Sequence, residues 1–166
     1  GHSQAILEAH QNIKLIGVDR DDEALAFSKK RLEPFGERVN FVKSNFGAAM
    51  EKIDADDIVG ILADIGVSSL QLDKAERGFS FNGENLDMRM DTTADFSAYD
   101  VVNYYSESEL ERIIRVYGEE RMSKKIASLI VKKRKEKKIE SSKELSELIA
   151  ANIKGWRSEE HTSELQ

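Results

Sequence analysis

Short apolar runs alternate with helical patterns along roughly the first hundred residues of the chain. Three short, mostly apolar runs have the length of buried strands, at residues 13–18, 39–42 and 58–63. Between them, apolar residues recur at helical spacing, at residues 4–10, 21–32 and 48–53. Because strands that alternate with helices are usually joined as parallel βαβ units, this pattern predicts a layered α/β sheet.

Capping residues indicate where these elements begin and end. Ser3 is a candidate N-cap for the first helix. The second helix has acidic residues in its first turn and bases near its end, and Pro34 and Gly36 then stop it. Asp19 and Asp64 come directly after two predicted strands, so we expect both at the carboxyl edge of the sheet, where open α/β sheets bind ligands.

The rest of the chain has a different pattern. Residues 67–95 are irregular, and their aromatic and methionine side chains argue against disorder, so a functional loop is expected. From Ser97 the spacing becomes helical, with a capping box at 106–109 and further helices predicted at 119–138 and from Ser141. This predicts an all-helical module after the α/β half.

Composition narrows the class of protein. The 166 residues are 40% apolar and carry a formal charge of −6, which allows a globular core and argues against a uniformly basic nucleic-acid binder. No apolar run approaches the roughly 20 residues of a membrane span, and no secretory signal is visible. The absence of cysteine excludes a thiolate nucleophile in these residues and fits a reducing cytoplasm. No metal site is expected, and the oligomeric state stays open.

Both ends of the chain suggest truncation. The sequence begins without methionine, at Gly1, in what reads as a glycine turn. Residues 157–166 resemble the translation of a sequencing adapter; an ordinary polar tail is the alternative. We therefore expect a piece of a longer protein that is inactive by itself, with a non-native tail that makes no packed contacts.

Two residues that follow predicted strands have the chemistry to hold an adenosine. Asp19 lies about eighteen residues after Gly1, a spacing that suits an acid accepting hydrogen bonds from both ribose hydroxyls. Its alternative role is to cap the following helix. Phe46 follows the next strand, where an aromatic ring can stack on adenine; the alternative is a core phenylalanine.

Asp64, followed by a glycine turn at Gly66, is a candidate for chemistry on an amine. The exocyclic amine of cytosine is a poor nucleophile because its lone pair is delocalised into the ring. A carboxylate that accepts a hydrogen bond from it makes the nitrogen more nucleophilic, and holding both reactants in line supplies much of the rate. A turn acid that caps backbone amides is the alternative.

Clustered bases in the predicted helix at 119–138 suit phosphate contacts, and a plain solvated face is the alternative. Beyond these features, several short motifs occur in order: Asp19-Arg20-Asp21, Asn45-Phe46, Asp64-Ile65-Gly66-Val67-Ser68-Ser69, Gln71-Leu72-Asp73, Arg77-Gly78-Phe79-Ser80-Phe81, Leu86-Asp87-Met88-Arg89-Met90-Asp91 and Tyr117-Gly118-Glu119-Glu120-Arg121. Together they resemble the bacterial 16S rRNA cytosine-N4 methyltransferases over residues 1–153.

The resemblance implies a partial Rossmann-like methyltransferase domain at 1–96 and an inserted helical domain at 97–156. The tail at 157–166 is expected to be non-native because of its likeness to an adapter. The resemblance also implies S-adenosylmethionine as cofactor and 16S rRNA in the small ribosomal subunit as partner. Asp64 is the candidate catalytic residue on the chemical argument given above. The cofactor-binding positions that the resemblance implies are Gly1, His2, Asp19, Phe46, Asp64 and Gln71. The chain departs from the family in having Leu70 where proline is usual, a difference that bears on the placement of Gln71.

Other functions compete with this interpretation. A methyltransferase acting on a DNA cytosine or a small-molecule amine would use the same cofactor. A cytosine-C5 methyltransferase would need a cysteine nucleophile, and a nicotinamide-dependent oxidoreductase would leave residues 64–91 unexplained. A non-catalytic RNA-binding module would explain the basic helix but not the acids after the strands. Binding of S-adenosylmethionine separates the enzyme from the binding module.

Overall fold

The computed structural model describes residues 1–53 and 57–153, apart from the side chain of Leu70. The expected non-native tail, residues 157–166, lies outside the described residues. Within the described part of the chain, every helix is too short or too polar to cross a membrane.

The chain divides into two compact units. The first, called the N-terminal unit, comprises Gly1–Ile65 and Met90–Thr93. The second, called the helical unit, comprises Gly66–Arg89 and the chain from Ala94 onward. Each unit has its own set of secondary-structure elements.

Two parallel strands form the centre of the N-terminal unit, which confirms the predicted α/β class. Strand β1 (Leu15–Asp19) pairs with β2 (Val39–Lys43), and the register aligns Asp19 with Lys43. The helices of this unit are α1 (His2–Ala9), α2 (Asp22–Leu32) and α3 (Phe46–Lys52), with a 3-10 segment at Glu33–Arg38. The predicted strands at 13–18 and 39–42 are therefore confirmed.

Local capping explains why α2 begins and ends where it does. Asp21 is the N-cap, and its carboxylate accepts a hydrogen bond from the backbone N–H of Glu23 at 3.0 Å. Acids in the first turn and three bases in the last turn complement the helix dipole. Leu25 and Leu32 are buried on its inner face. The helix predicted at 21–32 is confirmed within one residue.

Arg38 sets the direction of α1 relative to the strands. Its guanidinium donates to the carbonyls of Leu7 at 2.9 Å and Ile13 at 3.2 Å, and also to that of His10. Because Arg38 directly precedes β2, these bonds hold the carboxyl end of α1 at the amino end of the strands. The eight residues of α1 span about 12 Å.

The prediction of a third strand, at 58–63, is wrong. These residues are irregular and solvent-exposed; Val59 is 90% and Ile61 80% exposed. A strand is stabilised by the hydrogen bonds of a neighbouring strand, and within the described residues no strand pairs with this run. An apolar run alone therefore does not form one here.

Two helix boundaries also differ from the prediction. The first helix begins at His2 with Gly1 as N-cap, so Ser3 lies inside α1 and is not its cap. The helix predicted at 48–53 begins earlier, at Phe46, because the Asn45 side chain accepts a hydrogen bond from the N–H of Ala48 at 2.9 Å.

The helical unit buries its own hydrophobic core. Its helices are α4 (Ser69–Asp73), α5 (Ala98–Tyr104), α6 (Glu107–Val116), α7 (Ser123–Glu136) and α8 (Ser142–Asn152). The fully buried apolar residues of this core are Leu86, Val102, Leu110, Ile126, Ala127, Ile130, Ile139 and Ile153. Ser106 and Glu109 form the predicted capping box of α6, and Ser141 caps α8. The predicted succession of helices is confirmed.

The helix predicted to begin at residue 119 begins instead at Ser123. Gly118 follows the end of α6, and Glu119 has a φ of 52°, in the left-handed region. This conformation interrupts helical geometry, and the backbone N–H of Glu120 bonds back to the carbonyl of Ile114 at 3.2 Å. A turn therefore separates α6 from α7.

The stretch predicted to be irregular, residues 67–95, is an ordered loop that contains α4 and a 3-10 turn at Ala75–Arg77. Gly78 ends that turn with a φ of 72°, and a Cβ there would lie 2.7 Å from the backbone nitrogen of Asp87. The N–H of Met88 donates to the carbonyl of Arg77 at 2.9 Å. The loop therefore folds back on itself at a position that requires glycine.

Cationic and amide side chains form hydrogen bonds at the carboxyl end of α5. Asn103, 3% exposed, donates to the carbonyl of Ile139 at 2.8 Å and accepts from its N–H at 3.0 Å. Arg134 donates to the carbonyls of Val102 and Tyr105, and Lys138 to that of Asn103. These bonds satisfy carbonyls that the last turn of a helix leaves unpaired.

Candidate functional site

Asp19 ends β1 at the carboxyl edge of the sheet, as predicted. One of its carboxylate oxygens, Oδ1, accepts a hydrogen bond from the N–H of Asp21 at 2.9 Å. The N-cap of α2 is Asp21, so the alternative role considered for Asp19 belongs to another residue. Within the described residues Oδ2 of Asp19 has no hydrogen bond, and it can accept one from a ligand.

Phe46 lies at the same edge, three residues beyond the position that pairs with Asp19. It is the first residue of α3, and its side chain is 61% exposed. A core phenylalanine would be buried, so the core alternative does not describe this chain. The exposed ring offers an apolar face for a planar ligand.

Asp64 is held near the start of the chain. The Nδ1 atom of His2 lies 3.3 Å from Oδ2 of Asp64, and both side chains are largely exposed, 70% and 79%. An exposed pair of this kind contributes little to stability, so its importance is positional. The contact brings the start of α1 together with the residue that follows the run at 58–63.

The N-terminal unit contains a cavity of about 240 Å³, lined by residues that neighbour Asp19 and Phe46 in sequence but by neither of these two side chains. Its walls are formed by Arg20, Lys43, Ser44, Asn45, Ala48, Lys52 and Asp91. The Ser44 hydroxyl is buried and has no hydrogen-bond partner among the described residues. A buried polar atom without a partner is uncommon in folded proteins, so this hydroxyl is suited to a polar ligand atom in the cavity.

Charges around the cavity are ordered by hydrogen bonds. Lys43 donates to Asp22 at 2.6 Å, and this bond raises the pKa of Lys43 above its ordinary value. Hydrogen bonds from Thr93 hold the pKa of Asp91 below its usual range, and Lys43 Nζ lies 3.6 Å from this carboxylate. The ammonium group of Lys43, in the cavity wall, is therefore held between the carboxylates of Asp22 and Asp91.

Gln71 belongs to the helical unit and is 5% exposed. Its side-chain oxygen accepts a hydrogen bond from the N–H of Ser68 at 3.0 Å, while its own N–H donates to the Ser68 hydroxyl. This reciprocal capping box begins α4. The structure thus gives Gln71 a local role that its sequence position did not predict.

The sequence pattern did not single out the cavity residues Lys43, Ser44 and Lys52. A usable signal exists, because Lys43 and Ser44 end the second strand just as Asp19 ends the first. Of the other cavity residues, Arg20, Asn45 and Asp91 belong to the motifs quoted from the sequence. Serine and lysine are common at strand ends, so burial and contacts are needed to distinguish them.

Comparison with known proteins places the chain in a family. The family described as the MraW methylase family matches residues 1–164. A relative from Nautilia profundicola, named ribosomal RNA small subunit methyltransferase H, is 56% identical over 150 residues, covering 90% of this chain and 48% of the relative. The protein of the same name from Campylobacter curvus is 52% identical over 161 residues, covering 95% of this chain and 52% of the relative.

The chain thus spans about half the length of the curated relatives it matches. The family match covers nearly every residue, including both units. It includes all positions named above at the carboxyl edge of the sheet. On this evidence the chain belongs to the MraW methylase family.

Proposed function

We propose that the full-length protein containing this chain transfers a methyl group from S-adenosylmethionine to the N4 amine of a cytosine in the rRNA of the small ribosomal subunit, in the cytoplasm. Family membership supports methyl transfer, and the names of the relatives support small-subunit rRNA as substrate. The motifs between Asp64 and Asp91 support the cytosine amine. The observation that carries the proposal is the position of Asp19 at the carboxyl end of a parallel strand, with the exposed Phe46 three residues after the aligned end of the partner strand.

The residues at this edge fit an adenosine. Oδ2 of Asp19 is available to accept from the ribose hydroxyls, and the exposed ring of Phe46 can stack on adenine. The partnerless hydroxyl of Ser44 adds a polar group in the neighbouring cavity. Gly1, His2, Asp64 and Gln71 complete the set proposed to hold the cofactor, on the basis of the resemblance.

S-adenosylmethionine supplies the methyl group on a positively charged sulfur. Asp64 is proposed to accept a hydrogen bond from the cytosine amine, which raises the electron density on its nitrogen and directs its lone pair. The exposed carboxylate of Asp64 is accessible to a substrate, and the nearby imidazole of His2 restricts its orientation. Much of the rate would then come from alignment of the two reactants.

The larger architecture belongs to the same proposal. The two parallel strands are part of a Rossmann-like methyltransferase sheet, with residues 1–96 contributing to that domain. Residues 97–156 form a helical domain inserted in it, and residues 157–166 are not native. All the buried core residues given for the helical unit except Leu86 lie between residues 97 and 153, which supports a helical domain there.

Calorimetry of S-adenosylmethionine binding to the full-length protein tests the role of Asp19. Asn at this position still accepts the N–H of Asp21, so Asp19→Asn removes the charge and preserves the cap of the turn. A hydrogen bond to a charged group contributes about 1.5–3 kcal/mol, so binding should weaken about tenfold to a hundredfold. Glu37→Gln, an exposed acid at the amino end of β2, is the matched control and should bind normally. Unchanged binding by Asp19→Asn would refute the ribose assignment.

Transfer of labelled methyl groups to undermodified small ribosomal subunits tests Asp64. Asp64→Ala should reduce turnover by at least tenfold, since the hydrogen bond to the amine is lost. The control is Asp57→Ala, which removes an exposed carboxylate from the same irregular run. Equal turnover of the Asp64 variant and the parent protein would rule out the proposed catalytic role.

A further inference from the structure

Helix α7 and its flanks concentrate positive charge in an acidic chain. Residues 121–138 contain nine lysines or arginines and a single glutamate. The rest of the chain contains 16 basic and 30 acidic residues. The segment therefore carries a net positive charge, whereas the rest of the chain carries a net negative charge.

Three of these basic residues are bound inside the helical unit. Arg134 donates to backbone carbonyls at the end of α5. Lys138 also donates there, and its ammonium lies 4.2 Å from the centre of the Tyr104 ring. Lys125 donates to the carbonyl of Asn152 at 2.7 Å. These residues stabilise the fold, so they are not counted as a binding surface.

Lys124, Lys132 and Lys135 form a separate group, called the lysine ridge. All three are exposed, and none makes a hydrogen bond or ion pair with another described residue. Positions separated by eight and eleven residues lie on one face of a helix, and from Lys124 to Lys135 the ridge spans about 16 Å. The buried residues Ile126 and Ile130 lie on the opposite face.

A helix face that serves only for solvation usually mixes charges, because acids and bases four residues apart attract each other. Among the described residues, no acid pairs with the lysine ridge. Glu136 is the one acid of the segment and makes no ion pair with a ridge lysine among the described residues. The three ammonium groups therefore form an uncompensated cationic line on a rigid support.

We propose that the lysine ridge of α7 binds the phosphate backbone of RNA. This rests on the proposed function for the identity of the polyanion, and it assigns the contact to a face of the helical unit outside the candidate cofactor site. A row of ammonium groups on one helix neutralises successive phosphates without reading bases. The ridge holds the RNA and takes no part in methyl transfer.

The test measures RNA binding by the full-length protein over a series of salt concentrations. The probe is a fluorescent RNA hairpin with single-stranded flanks, and binding is followed by anisotropy. The variant Lys124→Gln/Lys132→Gln/Lys135→Gln removes the ridge charge. The control Lys14→Gln/Lys29→Gln/Lys30→Gln removes equal charge from exposed lysines of the N-terminal unit that also lack partners among the described residues.

Each phosphate contact contributes about 0.7 to the slope of log affinity against log salt for a single strand. Loss of three contacts should therefore lower the slope by about 2 and weaken binding at 0.1 M salt by up to roughly a hundredfold. The control should retain the parent slope. The ridge lysines are exposed and unpaired, so their replacement should leave the circular dichroism spectrum and S-adenosylmethionine binding unchanged.

Three results would overturn the proposal: parent-like RNA binding by the ridge variant, an equal loss in the control, or a ridge-dependent binding to anionic vesicles with RNA binding intact. The last would assign the ridge to a membrane surface. Failure of the proposed function is distinguishable. A parent protein that binds RNA through the ridge but does not bind S-adenosylmethionine would refute methyl transfer and leave the ridge assignment standing.

Discussion

Asn103 is predicted to be the polar residue on which the stability of the helical unit depends most. Its amide joins α5 to Ile139 beyond α7 through two hydrogen bonds, of 2.8 and 3.0 Å. Ile139 is fully buried, so water cannot replace these bonds. Asn103→Ala would leave the N–H and the carbonyl of Ile139 without partners.

Each buried polar group left unsatisfied costs about 1–3 kcal/mol, so Asn103→Ala should lower the free energy of unfolding by about 3–5 kcal/mol. The free energy of unfolding of a whole domain is only about 5–15 kcal/mol, so this single change should remove a large part of it. The matched control is Asn152→Ala. The side chain of Asn152 donates a hydrogen bond to a carbonyl four residues earlier, at 2.8 Å. Because Asn152 is exposed, the loss of this bond should cost under about 0.5 kcal/mol.

Urea titration followed by circular dichroism measures both variants, and hydrogen exchange of the Ile139 amide assigns the effect to the helical unit. The Asn103 variant should unfold at lower urea concentration with faster exchange at that amide. A loss below about 1 kcal/mol, or a loss equal to that of Asn152→Ala, would show that the buried groups find other partners. The reasoning from burial would then be incorrect.

Further predictions concern the loop, the pH dependence, activity and the tail. Gly78→Ala should destabilise the helical unit by at least about 1 kcal/mol in urea titration, because φ is 72° and the new Cβ would meet backbone; a neutral result would contradict this. A hydrogen bond from Arg89 lowers the pKa of Asp87 in the folded state. The ionised Asp87 therefore stabilises the fold above the unfolded pKa of about 3.9, and this contribution to stability is lost as the pH falls through the lower folded pKa. Asp87→Asn should therefore show a shallower loss of stability between about pH 5 and pH 2, and an unaltered pH profile would disprove this linkage. The 166-residue chain alone should transfer no measurable methyl, because its apolar run at 58–63 is exposed; stoichiometric methylation would contradict that expectation. Deletion of residues 157–166 should change the free energy of unfolding by less than about 1 kcal/mol, and a larger loss would count against an adapter origin.

The sequence by itself was sufficient for elements whose causes are local. The beginning of α2 depends on Asp21, and those of α6 and α8 on Ser106 and Ser141, through hydrogen bonds across two or three residues. The first two strands were also predicted, because β-propensity and pairing agree there. The expected position of Asp19 at the end of β1 followed from the strand itself.

Tertiary structure decided the features that depend on distant partners. The run at 58–63 has the composition of a strand but no neighbouring strand among the described residues, so pairing and not propensity determines its conformation. Helix α7 begins later than predicted because Glu119 adopts a left-handed conformation in the turn after α6. His2 and Asp64 are far apart in sequence, and their contact at 3.3 Å is visible only in the folded unit. Local hydrogen bonds can be read along the chain, whereas contacts between distant residues depend on how the whole unit packs.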